Sequence, residues 1–398
     1  MKSRGYVRNN LLQAVLSYWS VISTDPKGEL TQDFRLFFKR QGYTVRVFNL
    51  VDMMHSDRWN PLDEVKQGVD AQILAQVIID NTENPSRKSK DEFWSRAEMN
   101  LLKALILFVV INCPPGERNL GTLYSILSCG SLERIDALFQ TLPPNHPAKI
   151  PYNIYRETSS TVRSGVVIGL GTRLQVFQET LVQKLTEKSD IDLELPGREK
   201  CAYFCIISDM DTTYYFLASL FFSFLFIKLI RLADRNGGKL PVFVNFLLDE
   251  FCNIGKIPDF TTKISTMRGR GIGCSIIFQS INQLEEHYPE PSWETILADC
   301  DSWLVMGCRD NTTAEYISKH FGEGTVQSVS LRRDAGIEGL MELGSITYSP
   351  HRRRLLTPDE VVTFDDKSAI LTFLNMRPFR IKKMDFTEHE LSKELVPV

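Results

Sequence analysis

Short apolar runs rich in β-branched and aromatic residues alternate with helical stretches near both ends of the chain, and this alternation constrains the fold most. Residues 18–24 predict a strand, residues 29–40 a helix with its aromatic residues on one side, and residues 44–50 the next strand. Strand–helix–strand spacing of this kind implies a right-handed parallel crossover. The pattern therefore favours an α/β fold built on a parallel sheet.

The same rhythm returns after residue 200. Apolar runs that read as further strands occupy residues 202–207, 243–248, 273–278, 303–306 and 369–373. Strand candidates separated mostly by helices predict a doubly wound parallel sheet. The apolar run at 212–230 approaches the length of a membrane span, but its Tyr, Ser and Lys residues and the strands beside it favour a helix buried against the sheet.

The middle of the chain has a different character. Residues 65–187 carry helical patterns with almost no strand signal; the clearest helix lies at 97–110 and weaker ones at 132–139 and 169–185. We therefore predict an all-α domain inserted into the α/β domain. The division is 1–64 for the first part of the α/β domain, 65–194 for the insertion and 195–398 for the second part of the α/β domain.

Composition excludes several classes of protein. Lys and Arg total 46 and Asp and Glu total 49, so a net charge of −3 gives no global attraction to nucleic acid. Phosphate contacts would have to come from local runs such as Arg332–Arg333 and Arg352–Arg354, for which a solvated basic face is the alternative. The eight cysteines form no C-x-x-C pair, which fits a reducing cytosol better than a disulfide framework or a zinc site.

Asp249 and Glu250 directly follow the apolar strand predicted at 243–248, which is the Walker B pattern. The carboxyl end of a parallel strand opens on the ligand crevice. One carboxylate there can hold Mg²⁺ and the second can polarise the water that attacks a γ-phosphate. A solvated acidic turn is the alternative reading.

A Walker B strand calls for a P-loop, and the chain holds no complete one. Lys2 and Ser3 match only the end of that motif, yet a helical stretch at 11–14 and the strand at 18–24 follow in the expected order. Gln279 follows the strand at 273–278, where an amide can contact a γ-phosphate or simply bond to backbone. Arg268–Gly271 forms a basic turn in which an arginine can stabilise transition-state charge in a neighbouring subunit, or can lie solvated.

Several motifs in family order carry a resemblance to the type IV coupling proteins, the TraG-like ATPases of bacterial conjugation. They are TDPKGEL at 24–30, WNPL at 59–62, FW at 93–94, LDEFCNIGKIP at 248–258, RGRGI at 268–272, QS and QL at 279–284, and LLTPDE at 355–360. The resemblance runs from residue 2 to about residue 386. Any one motif is weak, but their order and spacing together are specific.

The resemblance implies a RecA-like P-loop NTPase with an inserted all-α domain, using ATP and Mg²⁺ and forming a ring, typically a hexamer. Such proteins act on the cytoplasmic face of the bacterial membrane. They link single-stranded transfer DNA with its attached relaxase to the ATPases and membrane components of a type IV secretion channel, and the all-α domain is thought to meet the relaxosome. Asp25, Lys27 and Glu29 match the family signature with no role that the sequence explains.

The resemblance also assigns roles to site residues. It implies Lys2 as the P-loop lysine, Ser3 and Asp249 as Mg²⁺ ligands, Glu250 as catalytic base, Gln279 as phosphate sensor and Arg270 as an arginine finger given to a neighbour.

The amino terminus departs from the family pattern. Family members carry a membrane anchor, a first strand and the glycine-rich loop, whereas here Met1 stands where the last P-loop glycine is expected. The backbone N–H groups of that loop cradle the phosphates, so we expect this chain alone, which would be cytoplasmic, to bind ATP weakly or not at all. A misassigned start codon or a broken gene would explain the difference. The alternative function is an inactive adaptor that docks relaxosome or effector proteins through its helical domain.

Overall fold

A computed structural model of the chain describes residues 2–82, 92–129, 131–332 and 345–395. They form two compact units. One comprises Ser3–Phe278 with the terminal residues from Asp385 onward, and the other comprises Gln279–Met384 with Lys2. The three-part division at residues 64 and 194 stays a prediction.

Helices and strands follow the predicted order, and each predicted strand is confirmed with its ends moved by at most two residues. The α-helices are α1 (Arg8–Leu16), α2 (Glu29–Arg40), α3 (Gly68–Thr82), α4 (Glu92–Asn112), α5 (Leu120–Ser128), α6 (Leu132–Gln140), α7 (Lys149–Arg156), α8 (Ser160–Arg173), α9 (Thr180–Leu185), α10 (Leu195–Arg198), α11 (Tyr215–Arg235), α12 (Phe260–Met267), α13 (Ile281–His287), α14 (Ser292–Ala298), α15 (Asn311–Phe321) and α16 (Pro358–Val362). The strands are β1 (Ser20–Thr24), β2 (Thr44–Asn49), β3 (Cys201–Ile206), β4 (Val244–Leu248), β5 (Ile272–Ile276), β6 (Ser302–Val305), β7 (Glu323–Arg332), β8 (Ser345–Arg354), β9 (Ser368–Phe373) and β10 (Phe379–Lys382).

The first unit is built on a parallel five-stranded sheet in the order β2-β3-β1-β4-β5. Strands β1, β3 and β4 are buried along their whole length, whereas the outermost strand β5 is only partly buried beyond its first residue. Burial on both faces explains why the central strands read as continuous apolar runs in the sequence.

Helices α1 and α2 pack on one face of this sheet through an aromatic-rich core. Leu30, Phe34, Phe37 and Phe38 recur at helical spacing on α2 and are buried in one cluster with Leu247 of β4. Full burial of one such side chain contributes about 1.5–3 kcal/mol. This apolar face of α2 therefore determines how the helix packs on the sheet.

Helix α11 packs on the opposite face. Successive strand residues point to opposite faces, so Phe246 projects away from Leu247, and its ring centroid lies 4.3 Å from that of Phe226 on α11. Phe221 stacks on Phe48 of β2 with centroids 4.8 Å apart. Among the described residues α11 is the one helix long and apolar enough to span a membrane, and 83% of its most apolar stretch is buried inside the protein. The predicted buried helix is confirmed.

Helices α3 to α9 lie between β2 and β3 in sequence, and no strand interrupts the part of residues 68–185 that the structure describes. The helical character predicted for residues 65–187 is thereby confirmed for those residues. The single helix predicted at 169–185 is wrong. The chain leaves α8 at Arg173, makes a short 3-10 turn that buries Phe177, and then begins α9.

The WNPL motif joins the sheet to the helical segment. The ring of Trp59 is fully buried, with centroids 6.0 Å from Phe48 of β2 and 5.3 Å from Phe221 of α11. Asn60 donates from Nδ2 to the carbonyl oxygen of Arg118 (2.7 Å) and accepts at Oδ1 from the N–H of Leu62 (3.0 Å). The motif is thus a structural junction.

In the second unit, the prediction that all strands join one parallel sheet is wrong. The strands predicted at 303–306 and 369–373 do not join the parallel sheet; β6 pairs antiparallel with β9, and β9 with β10, in a three-stranded sheet. The connection between β9 and β10 is too short for a crossover helix, so β10 must return antiparallel. Helix α16 begins after Thr357, where Glu360 accepts the backbone N–H of Thr357 (2.9 Å) in a capping box.

Strands β7 and β8 form a two-stranded antiparallel ribbon that the sequence did not predict. Its side chains are largely exposed, so no buried apolar run marks it. Two members of the arginine run pair with acids, Arg353 with Glu360 (2.6 Å) and Arg354 with Glu315 (2.7 Å). Arg333 lies outside the described residues. The phosphate contacts suggested for these arginines stay a prediction.

The terminal segment of the chain folds back on the first unit at its amino-terminal end. Arg4 donates two hydrogen bonds to the carboxylate of Asp385 (2.8 and 3.1 Å). The guanidinium groups of Arg4 and Arg8 also lie over the ring of Phe386, at 5.2 and 4.9 Å from its centroid. The hydrogen bonds from Arg4 hold the pKa of Asp385 at about 2, below its ordinary value.

We predict an acid-dependent loss of stability from this contact. Because the folded-state pKa lies below the unfolded one, ionised Asp385 stabilises the protein above about pH 4, and this contribution is lost as the pH falls toward about 2. The free energy of unfolding of D385N, measured in urea, should therefore lie below that of the wild type at pH 5 and converge with it near pH 2. D209N, which alters an exposed aspartate, serves as control. A gap of constant size across this range would contradict the assignment.

Candidate functional site

Two acids occupy the turn after β4. Asp249 and Glu250 are partly buried, and the backbone N–H of Glu250 donates to Oδ1 of Asp249 (3.1 Å). Glu250 has φ 50° and ψ 53°, in the left-handed region. A residue other than glycine is disfavoured there by roughly 1–2 kcal/mol, and such outliers concentrate at functional sites.

The end of β1 lies beside this acidic turn. Thr24 donates from Oγ1 to the carbonyl oxygen of Asp249 (2.7 Å), and Ser23 donates from Oγ to that of Leu247 (3.3 Å). Two buried hydroxyls thus fix the backbone that carries the acids. This contact is possible because β1 and β4 are parallel neighbours, whose carboxyl ends share one edge of the sheet.

The family signature at residues 24–30 has a structural explanation. The buried carboxylate of Asp25 accepts the N–H of Thr31 (2.7 Å), which satisfies a donor in the first turn of α2. Burial raises the pKa of Asp25, while this and other hydrogen bonds oppose the shift. Asp25 therefore shapes the turn from β1 into α2. Lys27 and Glu29 are exposed, with Glu29 3.8 Å from Arg8.

The amino-terminal turn reaches the same edge as the acids. Ser3 begins a π-helical turn, Ser3–Val7, that leads into α1, and Lys2 directly precedes it. The hydroxyls of Tyr6 in this turn and Ser275 of β5 are hydrogen-bonded at 2.8 Å. In the sheet register Ser275 lies opposite Leu247, two residues before Asp249.

The oxygen atoms at this edge suit Mg²⁺. Ser3 offers a hydroxyl and Asp249 a carboxylate, the hard ligands that Mg²⁺ prefers. No group of three or more His, Cys, Asp or Glu that could hold a metal ion occurs within the described part of the chain. A donor set of this kind fits an ion completed by substrate phosphates and water.

Gln279 is exposed and stands at the first position of the second unit, three residues after β5 ends. Its backbone N–H donates to the side chain of Gln283 (3.4 Å), and Ser280 beside it caps α13 by accepting the N–H of Gln283 (3.3 Å). The following helix thus fixes the path of the chain at this residue.

Arg270 lies at the edge of the sheet formed by the amino ends of the strands, opposite Asp249 and Glu250. It precedes β5, and Ile272 at the start of β5 pairs with Val244 at the start of β4, whereas the acids follow the end of β4. The length of a five-residue strand, at about 3.3 Å per residue, separates the two edges. Arg270 pairs with Asp234 (2.8 Å) and donates to the carbonyl oxygen of Thr266 (3.0 Å). It therefore cannot meet the acids of its own chain.

An asparagine that the sequence did not single out holds the segment after the acids. Asn81 of α3 accepts the N–H of Lys256 at Oδ1 (2.6 Å) and donates from Nδ2 to the carbonyl oxygen of Lys256 (2.9 Å). Gly255 beside it has φ +82°, and a Cβ there would lie 2.5 Å from Oδ1 of Asn81. The partners are 175 residues apart, so no local pattern could reveal them.

The sheet order, the acidic turn and the inserted helices define an α/β protein of the RecA-like class. The sequence belongs to the family described as type IV secretory system conjugative DNA transfer, which matches residues 1–395. Over 390 residues it is 27% identical to Protein VirD4 of Rhizobium rhizogenes, covering 94% of this chain and 56% of that protein. Over 378 residues it is 26% identical to the conjugal transfer protein TraG of Escherichia coli, covering 86% and 57%.

The fold is also that of a solved coupling protein. The plasmid coupling protein TrwB in complex with ADP and Mg²⁺ matches with a TM-score of 0.69 and 17% identity, covering 95% of this chain and 82% of that one. This likeness confirms the RecA-like fold. The chain spans just over half the length of the curated relatives it matches.

We predict that Gly255→Ala destabilises the protein strongly. Alanine is strained at this positive φ, and its Cβ would lie 2.5 Å from Oδ1 of Asn81 and 3.0 Å from the carbonyl oxygen of Tyr215. We therefore expect the free energy of unfolding to fall by about 2–4 kcal/mol. Gly42→Ala is a matched control, because Gly42 has φ +76° but a Cβ there would have no atom within 4 Å. Its cost should be about 1–2 kcal/mol. Equal losses in urea unfolding would show that the close contacts at Gly255 are unimportant.

Proposed function

We propose that this chain forms the motor part of a coupling ATPase, which uses ATP hydrolysis to drive transfer DNA into a type IV secretion channel. The observation that carries the proposal is the pair Asp249–Glu250 at the end of a buried parallel strand, on the same edge as the turn that begins at Ser3. Family membership supports the biological setting. The TrwB complex, which holds ADP and Mg²⁺, supports the ligands.

Each residue of the site has a chemical role in this proposal. Lys2 places a positive charge against the β- and γ-phosphates, and Gln279 donates an amide N–H to the γ-phosphate. Ser3 and Asp249 hold Mg²⁺, which neutralises charge on the phosphates when bound. Glu250, which directly follows Asp249, accepts the proton of the attacking water.

Arg270 acts on a neighbouring copy of the chain. Because Arg270 lies at the edge opposite the acids of its own chain, it acts as an arginine finger on the site of the neighbouring subunit in a ring. A hexameric ring at the cytoplasmic face of the membrane is the assembly we propose. Its partners are single-stranded DNA with attached relaxase, relaxosome proteins and the channel.

Glu250→Gln tests the catalytic base. In the protein extended by a glycine-rich loop before Lys2, this variant should lower kcat for ATP by about 10²- to 10⁴-fold, because the amide cannot accept the proton. The Kd for Mg-ATP should stay within about twofold, since the amide preserves shape and the phosphate ligands are untouched.

The control for this experiment is Glu285→Gln, which changes an exposed acid on α13. It should leave kcat and Kd as in the wild type. Wild-type turnover by E250Q would refute the role of Glu250, and loss of nucleotide binding by E250Q would assign it to binding instead.

A second candidate function, a docking adaptor, is favoured by one observation on the helical segment. Ile150 and Ile154 lie four residues apart on α7 and are 66% and 56% exposed. Residues at this spacing share one helical face, so the two isoleucines form an apolar site suited to a protein partner.

The double variant Ile150→Ser with Ile154→Ser tests this site. Capture of relaxosome proteins by the full chain, measured without nucleotide, should fall about tenfold or more, while the melting temperature changes little because both side chains are exposed. Ile111→Ser alters an exposed isoleucine of α4 and should capture as well as the wild type. Undiminished capture by the double variant would reject the site.

A further inference from the structure

A cleft of about 560 Å³ opens at the edge of the parallel sheet opposite the acids. Trp19, Lys200 and Phe243 line it, and each directly precedes one of the adjacent strands β1, β3 and β4. Parallel pairing therefore brings these three residues together. Tyr18 and Lys239 complete the part of the lining that carries aromatic rings and charge.

Tyr18 occupies a position that favours glycine. Helix α1 ends in a Schellman motif, in which Trp19 N–H donates to the carbonyl oxygen of Ala14 (2.9 Å) and Tyr18 N–H to that of Val15 (3.3 Å). The residue at the Tyr18 position of this motif takes a left-handed conformation, and Tyr18 has φ 58°. Glycine is the usual residue there because it has no Cβ.

The Tyr18 side chain gains little from packing. The residue is 71% exposed, so burial does not offset the backbone strain. The ammonium group of Lys200 lies beside the ring, with Nζ 5.5 Å from the ring centroid. A large aromatic ring, kept at a strained position and presented to solvent, points to a ligand that stacks on it.

The cleft is positive in charge. Lys200 Nζ lies near two aromatic rings, 5.5 Å from the centroid of Tyr18 and 5.1 Å from that of Tyr43. Lys239 is exposed at the rim. Among the described residues that line the cleft, none is acidic. The ligand should therefore carry negative charge next to a flat ring.

We infer that this cleft binds a nucleotide unit, with the base stacked on Tyr18 and the phosphate held by Lys200 and Lys239. Aromatic rings accept any base through its flat face, and lysines neutralise phosphate without reading sequence. The volume is within the range of small-ligand sites and fits one such unit. The inference does not depend on ATP hydrolysis, because the cleft lies at the edge away from Asp249 and Glu250.

Tyr18→Gly separates ligand binding from folding. Because glycine relieves the left-handed strain, the variant should melt at the wild-type temperature or higher. Its affinity for a dye-labelled oligothymidylate of about 12 nucleotides should fall roughly 5- to 100-fold, the range expected for loss of one stacked base. Fluorescence anisotropy in EDTA without ATP measures this affinity, so failure of the proposed ATPase leaves the test intact.

Further variants complete the test. Tyr18→Phe keeps the ring and should bind as the wild type does. Lys239→Ala should reduce the slope of log K against log salt concentration by about 0.7, whereas Lys184→Ala, an exposed lysine of α9, should not change it.

Competition by thymidine monophosphate identifies the source of the nucleotide unit. If the monophosphate displaces the oligomer at comparable concentration, a free nucleotide is the ligand; if only oligomers bind, the ligand is a single strand. Wild-type oligomer affinity in Tyr18→Gly, or no binding of either probe by the wild type, would overturn the inference.

Discussion

Parallel pairing of β3, β1 and β4 is the constraint on which the rest of the structure depends. Parallel strands direct all their carboxyl ends to one edge of a sheet and all their amino ends to the other. The turns after β1 and β4 therefore meet, and Thr24 reaches the backbone of Asp249. The residues before β1, β3 and β4 meet in the same way at the far edge, where they line the cleft. One rule of pairing thus produces two chemically different edges.

Local periodicity explains why much of this fold could be predicted from the sequence. The continuous apolar runs of β1, β3 and β4 reflect burial on both faces, and the spacing of Leu30, Phe34, Phe37 and Phe38 reflects one buried face of α2. Strand direction is not a local property. β6 and β9 carry the same apolar signal as the central strands, yet they pair antiparallel in another sheet. The ribbon of β7 and β8 buries too little to give any signal.

The same distinction between local and non-local properties applies to the residues of the candidate site. Asp249 and Glu250 could be found from sequence because a strand and its acids are adjacent in the chain. The roles of Asp25 and Asn81 could not, since each depends on the folded path: Asp25 satisfies the first turn of α2, and Asn81 holds Lys256 across 175 residues. Arg270 is an intermediate case. Its turn was predicted, but only the sheet register shows that it lies at the edge opposite the acids of its own chain.

A strained backbone conformation occurs at both the amino-end and the carboxyl-end edge of the parallel sheet. In the described part of the chain four residues other than glycine have positive φ: Tyr18, Glu250, Asp259 and Asn375. Aspartate and asparagine tolerate this conformation through local hydrogen bonds, whereas tyrosine and glutamate have no such advantage. If Tyr18 and Glu250 served only to turn the backbone, glycine would adopt the same positive φ with less strain. Glu250 lies at the same edge as Asp249, and Tyr18 lies at the edge with Lys200. In our proposals these two positions therefore need their side chains, Glu250 to accept a proton and Tyr18 to stack on a base.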